Sequence, residues 1–248
     1  MSKECYDIII QAGQSNSVGC GIGPVDMPYE QSEKIWYMNN DFTISCGSEV
    51  VEDNEIYGTF VLSFAREYVK TGMLRTGRKL LILRCAVGGT GFLDNRWNLT
   101  GDLYHGMMTM IAKALSMNVA NRLVGLLWHQ GETDAILHAS YEMHYNHLKQ
   151  LLCSVCEKFQ VPNLPFVAGD FVYHWKSENQ EICEPVVRAI QDLCRDYGNG
   201  AFVRTDGLKS NMQEMDTGED NIHFSRKSCY ELGERYFEAY CKLVQQIL

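Results

Sequence analysis

Ile8-Ile9-Ile10-Gln11-Ala12-Gly13-Gln14-Ser15-Asn16 reads as a strand that runs into a turn. Three consecutive isoleucines, with no polar residue alternating among them, predict a strand buried on both faces, as in a parallel sheet. Glycine ends the strand, and Ser15 then stands at its tip between two amides. In an open α/β sheet, ligands bind outside the carboxyl ends of the strands, so this serine can face a substrate. The far end of the chain carries Asp220-Asn221-Ile222-His223, which offers a base and a carboxylate to orient it. Together the two fragments hold the parts of a serine esterase.

Outward from that stretch, strand and helix patterns alternate. Strands are expected over 5–11, 34–38, 80–85, 123–128, 166–168 (with an extension to 172) and 201–205. Helices are expected over 59–70, 103–117, 140–159, 184–197 and 225–247. Residues 39–57 and 211–221 read as long, acidic loops. Five or six strands with helices between them imply right-handed crossovers and a mainly parallel central sheet. The expected fold is therefore a three-layer α/β/α sandwich, one domain over 1–248. Four strand ends carry polar or glycine-rich clusters: 13–16, 88–90, 129–132, and Asp206 with the loop leading to His223. In a parallel sheet these ends share one edge and line one cleft.

The 248 residues are enough for a sizeable core, and the formal net charge of -9 argues against a nucleic-acid partner, which needs concentrated Lys and Arg. No apolar run approaches the roughly 20 residues of a membrane span. Met1-Ser2-Lys3-Glu4 leads straight into the first strand without an apolar leader region, which suggests a cytoplasmic protein. The ten cysteines scatter through strands and helices, and the lone Cys153-x-x-Cys156 pair lacks a second pair, so they read as small apolar residues.

Ester cleavage needs a nucleophile, a base and donors for the developing oxyanion. Ser15 is the nucleophile candidate and His223 the base. Asp220 or Glu132 is the carboxylate that orients the base. The oxyanion donors would be the backbone N–H of Ser15, that of Gly88 or Gly89, and the side-chain amide of Gln130. Gln14 and Asn16 flank the nucleophile as candidate substrate contacts. Two other readings remain on the residues alone: a flavodoxin-like module for a nucleotide or flavin, and a sugar-binding protein without catalysis.

Ala12-Gly13-Gln14-Ser15-Asn16, Val87-Gly88-Gly89-Thr90-Gly91, Trp128-His129-Gln130-Gly131-Glu132 and Asp220-Asn221-Ile222-His223 occur in the order found in the SGNH hydrolases. More narrowly, the chain resembles carbohydrate esterase family six and the sialate O-acetylesterase-like proteins. The resemblance implies a flavodoxin-like sandwich. It also implies removal of O-acetyl groups from carbohydrates through an acyl-enzyme, without a metal or other cofactor. Acetylxylan, xylo-oligosaccharides and acetyl esters of sialic acid are the substrates it suggests. It assigns Ser15 as nucleophile and His223 as base, with Asp220 matching the D-x-x-H motif and Glu132 an alternative acid. Gln130 stands where the wider superfamily has an oxyanion-donating Asn. Residues 94–97 fall where the sugar site lies, which makes Trp97 a stacking candidate and Arg96 a ligand for hydroxyls or a carboxylate. The lipase-type G-x-S-x-G elbow is absent, since Ser17 stands at its last glycine. His138, His144 and His147 lack metal-site spacing and read as a solvated helix face. Trp128 and the methionines at 107, 108 and 110 read as packing residues.

Overall fold

The computed structural model describes residues 4–216 and 218–245. In chain order the elements are β1 (Cys5–Gly13), α1 (Ser15–Val18), β2 (Ile35–Met38), β3 (Ile44–Cys46), β4 (Val50–Glu52), β5 (Glu55–Tyr57), α2 (Phe60–Lys70), β6 (Arg78–Arg84) and α3 (Asp102–Ser116). There follow β7 (Arg122–His129), α4 (Glu132–Ile136), α5 (Tyr141–Phe159), β8 (Phe166–Gly169), α6 (Tyr173–Glu178), α7 (Gln180–Asp196), β9 (Gly200–Val203), α8 (Asn211–Met215) and α9 (Arg226–Gln245).

The sheet order is β3-β2-β6-β1-β7-β8-β9, seven strands against the expected five or six. All neighbours pair in parallel except β3, which adds antiparallel to β2 at the edge. Helices α2 and α9 pack together on one face, and α3, α5 and α7 cover the other. This is the expected three-layer sandwich.

β1 is the central strand, and Ile8, Ile9 and Ile10 are fully buried. Each such side chain contributes about 1.5–3 kcal/mol by leaving water. The same strand carries Asp7, whose buried carboxylate accepts from Arg78 Nε at 2.6 Å, Arg122 Nε at 2.7 Å and Tyr68 Oη at 3.0 Å. This clasp ties the amino ends of β6 and β7 to β1 and to α2.

The segment 39–57, expected as loop, holds β3 and a separate β4–β5 hairpin. Its strands are three residues long, too short to show a period of two. The hairpin turns on Asp53 and Asn54, both at positive φ (49° and 66°), the pattern of a type I′ turn. α7 starts at Gln180, upstream of the expected 184, and carries Pro185 inside it. The 211–221 segment contains α8, opened by a capping box in which Ser210 and Gln213 bond reciprocally. Residues 1–3 of the expected leaderless start, Thr217 of that loop and residues 246–247 of the closing helix lie outside the described residues. Among the described residues no helix is long and apolar enough to cross a membrane.

Candidate active site

Ser15 opens α1 beyond the carboxyl end of β1. Gly13 makes that geometry available. It sits at φ +131°, and a side chain there would run into the His129 carbonyl. Gln14 N donates to the same carbonyl at 2.9 Å and fixes the turn.

Ser15 Oγ lies 2.8 Å from His223 Nε2, across 208 positions of chain. His223 Nδ1 lies 2.9 and 3.0 Å from the two carboxylate oxygens of Asp220. The ionised carboxylate can only accept, so Nδ1 carries the proton and Nε2 faces the hydroxyl as acceptor. Asp220 also accepts the backbone N–H of His223 at 3.2 Å and Asn211 Nδ2 at 2.8 Å. Burial pushes the Asp220 pKa up, but the hydrogen bonds from His223 and Asn211 outweigh it and hold the carboxyl below its ordinary value. Asn211 further donates to the Cys20 carbonyl at 2.9 Å and accepts from Ile22 N at 2.9 Å. The glycine-rich segment 19–23 is therefore pinned beside the triad. The sequence offered no motif for Asn211, which sits in a stretch that reads as loop.

Glu132 is not the carboxylate on His223. It is fully buried, and its Oε1 accepts Asn16 Nδ2 at 2.7 Å. Asn16 also donates to Ile222 O at 3.0 Å and accepts from Phe224 N at 3.1 Å, so it grips the backbone on both sides of His223. Burial raises the Glu132 pKa against the opposing Asn16 hydrogen bond. Asn16 is thus a strut between α4 and the histidine loop, with no amide free for substrate. Gln14 is anchored through its side-chain oxygen. Its Oε1 accepts from Thr133 N at 3.1 Å and Gly131 N at 3.3 Å.

The glycine turn 88–91 faces Ser15. A Cβ on Gly88 would stand 3.6 Å from the Ser15 Cβ. The backbone N–H groups of Ser15, Gly88 and Gly89 enter no backbone hydrogen bond among the described residues. Gln130 does not join them. Its amide is fully buried and donates to Asp134 Oδ2 at 2.9 Å and Thr90 O at 3.2 Å, beneath the turn.

Asp134 is the residue of this region that sequence reasoning missed. Its carboxylate accepts Phe92 N at 3.0 Å and Leu93 N at 2.9 Å, and His144 Nδ1 lies 3.3 Å away. Burial raises its pKa, yet the His144 imidazole and those backbone N–H groups bring it below the ordinary value. His144 is therefore fully buried, not part of a solvated face; His138 is exposed and His147 stacks on Phe92. Gly91 leaves room for the carboxylate, since a Cβ there would lie 2.5 Å from Asp134 Oδ1.

Trp97 is fully buried, packed edge-on to Trp128 with its indole N–H on Thr90 Oγ1 at 3.0 Å, so it offers no face to a sugar. Arg96 is taken by Asp102 through two 2.8 Å bonds. Asp206 pairs with Arg204 at the surface. Trp128 and the methionines at 107, 108 and 110 are core, as expected. All ten cysteines are free thiols. His129, the motif's histidine, is fully buried. Tyr236 Oη donates to Trp128 O at 2.8 Å and lies 2.9 Å from His129 Nδ1, while burial holds the ring's pKa down at about 3.

The sandwich gathers Ser15, His223 and Asp220 at the carboxyl edge of its sheet, an arrangement suited to hydrolysis. The family model of carbohydrate esterases described as sialic acid-specific acetylesterases matches residues 5–242, and the chain belongs to that family. Members act on acetyl esters of carbohydrates. The structure is similar to that of NanS, with a TM-score of 0.82, 19% identity and 99% of each chain covered. A protein of Arabidopsis thaliana superposes with a TM-score of 0.73 at 20% identity, covering 95% of this chain and 98% of its own. A carbohydrate acetylesterase from Xanthomonas citri gives 0.53 at 12% identity, over 97% of this chain and 57% of its own. No curated protein matches the chain by sequence.

Proposed function

We propose that the protein is a serine O-acetylesterase that deacetylates sugars through an acyl-enzyme, with acetyl esters of sialic acid as its leading substrates. The observation that carries this reading is the 2.8 Å approach of Ser15 Oγ to an imidazole already held by Asp220. Ser15 Oγ attacks the acetyl carbonyl while His223 Nε2 takes its proton. Asp220 keeps the proton on Nδ1 and stabilises the imidazolium as it forms. The negative charge that develops on the carbonyl oxygen is met by the N–H groups of Ser15 and of Gly88 or Gly89. His223 then returns the proton to the departing sugar hydroxyl. Water attacks the acetyl-serine by the same route in reverse, releasing acetate.

Support for a sugar ester comes from the family, and support for a serine mechanism comes from the triad geometry. Replacement of Ser15 by Ala is the test. Acetate release and labelling by a fluorophosphonate should both fall to background while the thermal unfolding midpoint stays near the parent's. Retained turnover in that variant defeats the reading.

A further inference from the structure

Arg84 ends β6 without an acidic partner among the described residues. Its counterparts around the sheet are taken: Arg78 and Arg122 by Asp7, Arg96 by Asp102, Arg204 by Asp206, and Arg226 by Glu49. The Arg84 guanidinium carbon lies 4.9 Å from the centre of the Tyr37 ring, a cation–π contact that places the group without neutralising it. Beside it is a cavity of about 210 Å³ lined by Gln11, Val18, Asn39, Asn40, Arg84 and Ala86. Asn39 is set in place by Thr43 Oγ1 and Ser45 Oγ, 3.1 and 3.2 Å from its Nδ2. Gln11 is buried, and its Oε1 has no hydrogen-bond partner.

Two short stretches of chain connect the cavity lining to Ser15. Val18 closes the short helix that Ser15 opens. Ala86 precedes Gly88 by two residues, roughly 7 Å of chain, and Gly88 stands against Ser15. Asp220 contacts His223, the buried Glu132 is bonded to Asn16, Glu178 accepts from Asn221 of the same loop, and Lys176 is paired with Asp170. Arg84 thus has no acidic partner among the described residues and retains capacity for an anion.

We propose that this cavity is the subsite for a carboxylate carried by the acetylated sugar, with Arg84 as the specificity-determining residue. The inference rests on the acetylesterase reading above and deepens it. A guanidinium fork presents paired N–H donors that match a carboxylate's two oxygens. The amides of Asn39 and Asn40 then meet hydroxyls of the same ring, and the acetyl group reaches Ser15. Arg96, the expected ligand for such a carboxylate, is occupied by Asp102; Arg84 lacked any motif to mark it.

The experiment compares kcat/KM for an O-acetylated sialic acid with that for its carboxyl methyl ester. The wild type should favour the free acid about 10- to 100-fold, the usual worth of a charge-assisted hydrogen bond. In R84M the ratio should fall to near one, and in R84K it should lie between, since the charge remains and the fork is lost. A second measurement uses the wild type alone: free sialic acid should inhibit aryl acetate hydrolysis competitively at concentrations where its methyl ester does not. Equal inhibition by the two, or a wild-type preference that survives in R84M, overturns the subsite and leaves the acetylesterase reading standing. Failure of the wild type to release acetate from either sugar overturns both.

Discussion

Asp220 and Glu132 are two carboxylates from motifs that both looked able to orient His223. Their neighbours separate them. Asp220 touches the imidazole, is partly solvated and is held ionised by donors. Glu132 is sealed in, and burial favours its neutral form. Asp220→Asn should therefore lower kcat by roughly 10³- to 10⁴-fold, because the amide stabilises the wrong tautomer. Glu132→Gln retains an oxygen that accepts from Asn16 and should cost far less. Glu132→Ala removes that acceptor and should destabilise the fold by about 1–3 kcal/mol. Steady-state kinetics and urea unfolding on the three variants check the assignment; a collapse in Glu132→Gln comparable to Asp220→Asn would reverse it. Because a general base must be unprotonated to act, activity should fall in acid, while Asp220, held below the ordinary carboxylate range, keeps its charge to lower pH than a free aspartate. A pH–rate profile that is flat on the acid side contradicts a histidine base.

At the scale of elements, α4 is the short piece that joins the two halves of the site. Glu132, in its first turn, reaches Asn16 and through it the histidine loop. Asp134, two residues on, reaches the opposite way to the backbone of Phe92 and Leu93, behind the glycine turn. Moving that turn moves the backbone N–H groups of Gly88 and Gly89, the proposed oxyanion donors. Gly91→Ala places a Cβ against the Asp134 carboxylate and should cut kcat tenfold or more with a smaller effect on KM, since small misplacements of reacting groups carry large rate penalties. Asp134→Ala orphans the same buried donors and should lower stability by roughly 3 kcal/mol. Wild-type kcat in Gly91→Ala would show that the turn is not held in this way. The long helices were legible in the sequence because an apolar stripe repeats along them, as Phe60, Phe64 and Tyr68 do in α2. The five-residue α4 and α8 are too short to display such a repeat, and β3, β4 and β5 fail for the same reason.

For the whole molecule, buried titratable groups at opposite ends of the sheet set the response to acid. Asp7, at the amino edge, has its pKa pushed up by burial and pulled further down by Arg122 and Arg78, for a net lowering. Its contribution is complete above the unfolded-state value of about 3.9 and is lost as pH falls through the folded value. His129, near the carboxyl edge, is held at about 3 by burial. An unfolded histidine takes up its proton near about 6.5, so between these values the unfolded chain binds more protons and stability declines as pH falls. Urea unfolding from pH 7.5 down to 3.5 should show a steeper decline for the wild type than for His129→Asn from about pH 6.5 downward. Asp7→Asn should be less stable at neutral pH by several kcal/mol, the cost of leaving two arginines facing a neutral amide. Identical pH slopes for wild type and His129→Asn would remove the histidine from the account.

The sequence by itself determined the sandwich and placed Ser15 and His223 in short motifs at its two ends, whereas the choice of Asp220 over Glu132 beside the imidazole came from the tertiary structure. Apolar periodicity and turn residues are local signals, and each triad member lies in a short motif of its own. Which polar residues would stay free for a ligand was decided only by the tertiary structure. Trp97, Arg96, Gln130 and Asn16 all read as suited to substrate, yet each is bonded to an internal partner, and Gln14 is held through its side-chain oxygen. Arg84 has no motif and is left unspent, because the nearest partner the fold supplies is the uncharged face of Tyr37. Burying a polar group requires pairing it, and a partner can come from a turn a few residues away, as for Trp97 and Gln130, or from a segment more than a hundred residues distant, as for Gln14 and Asn16.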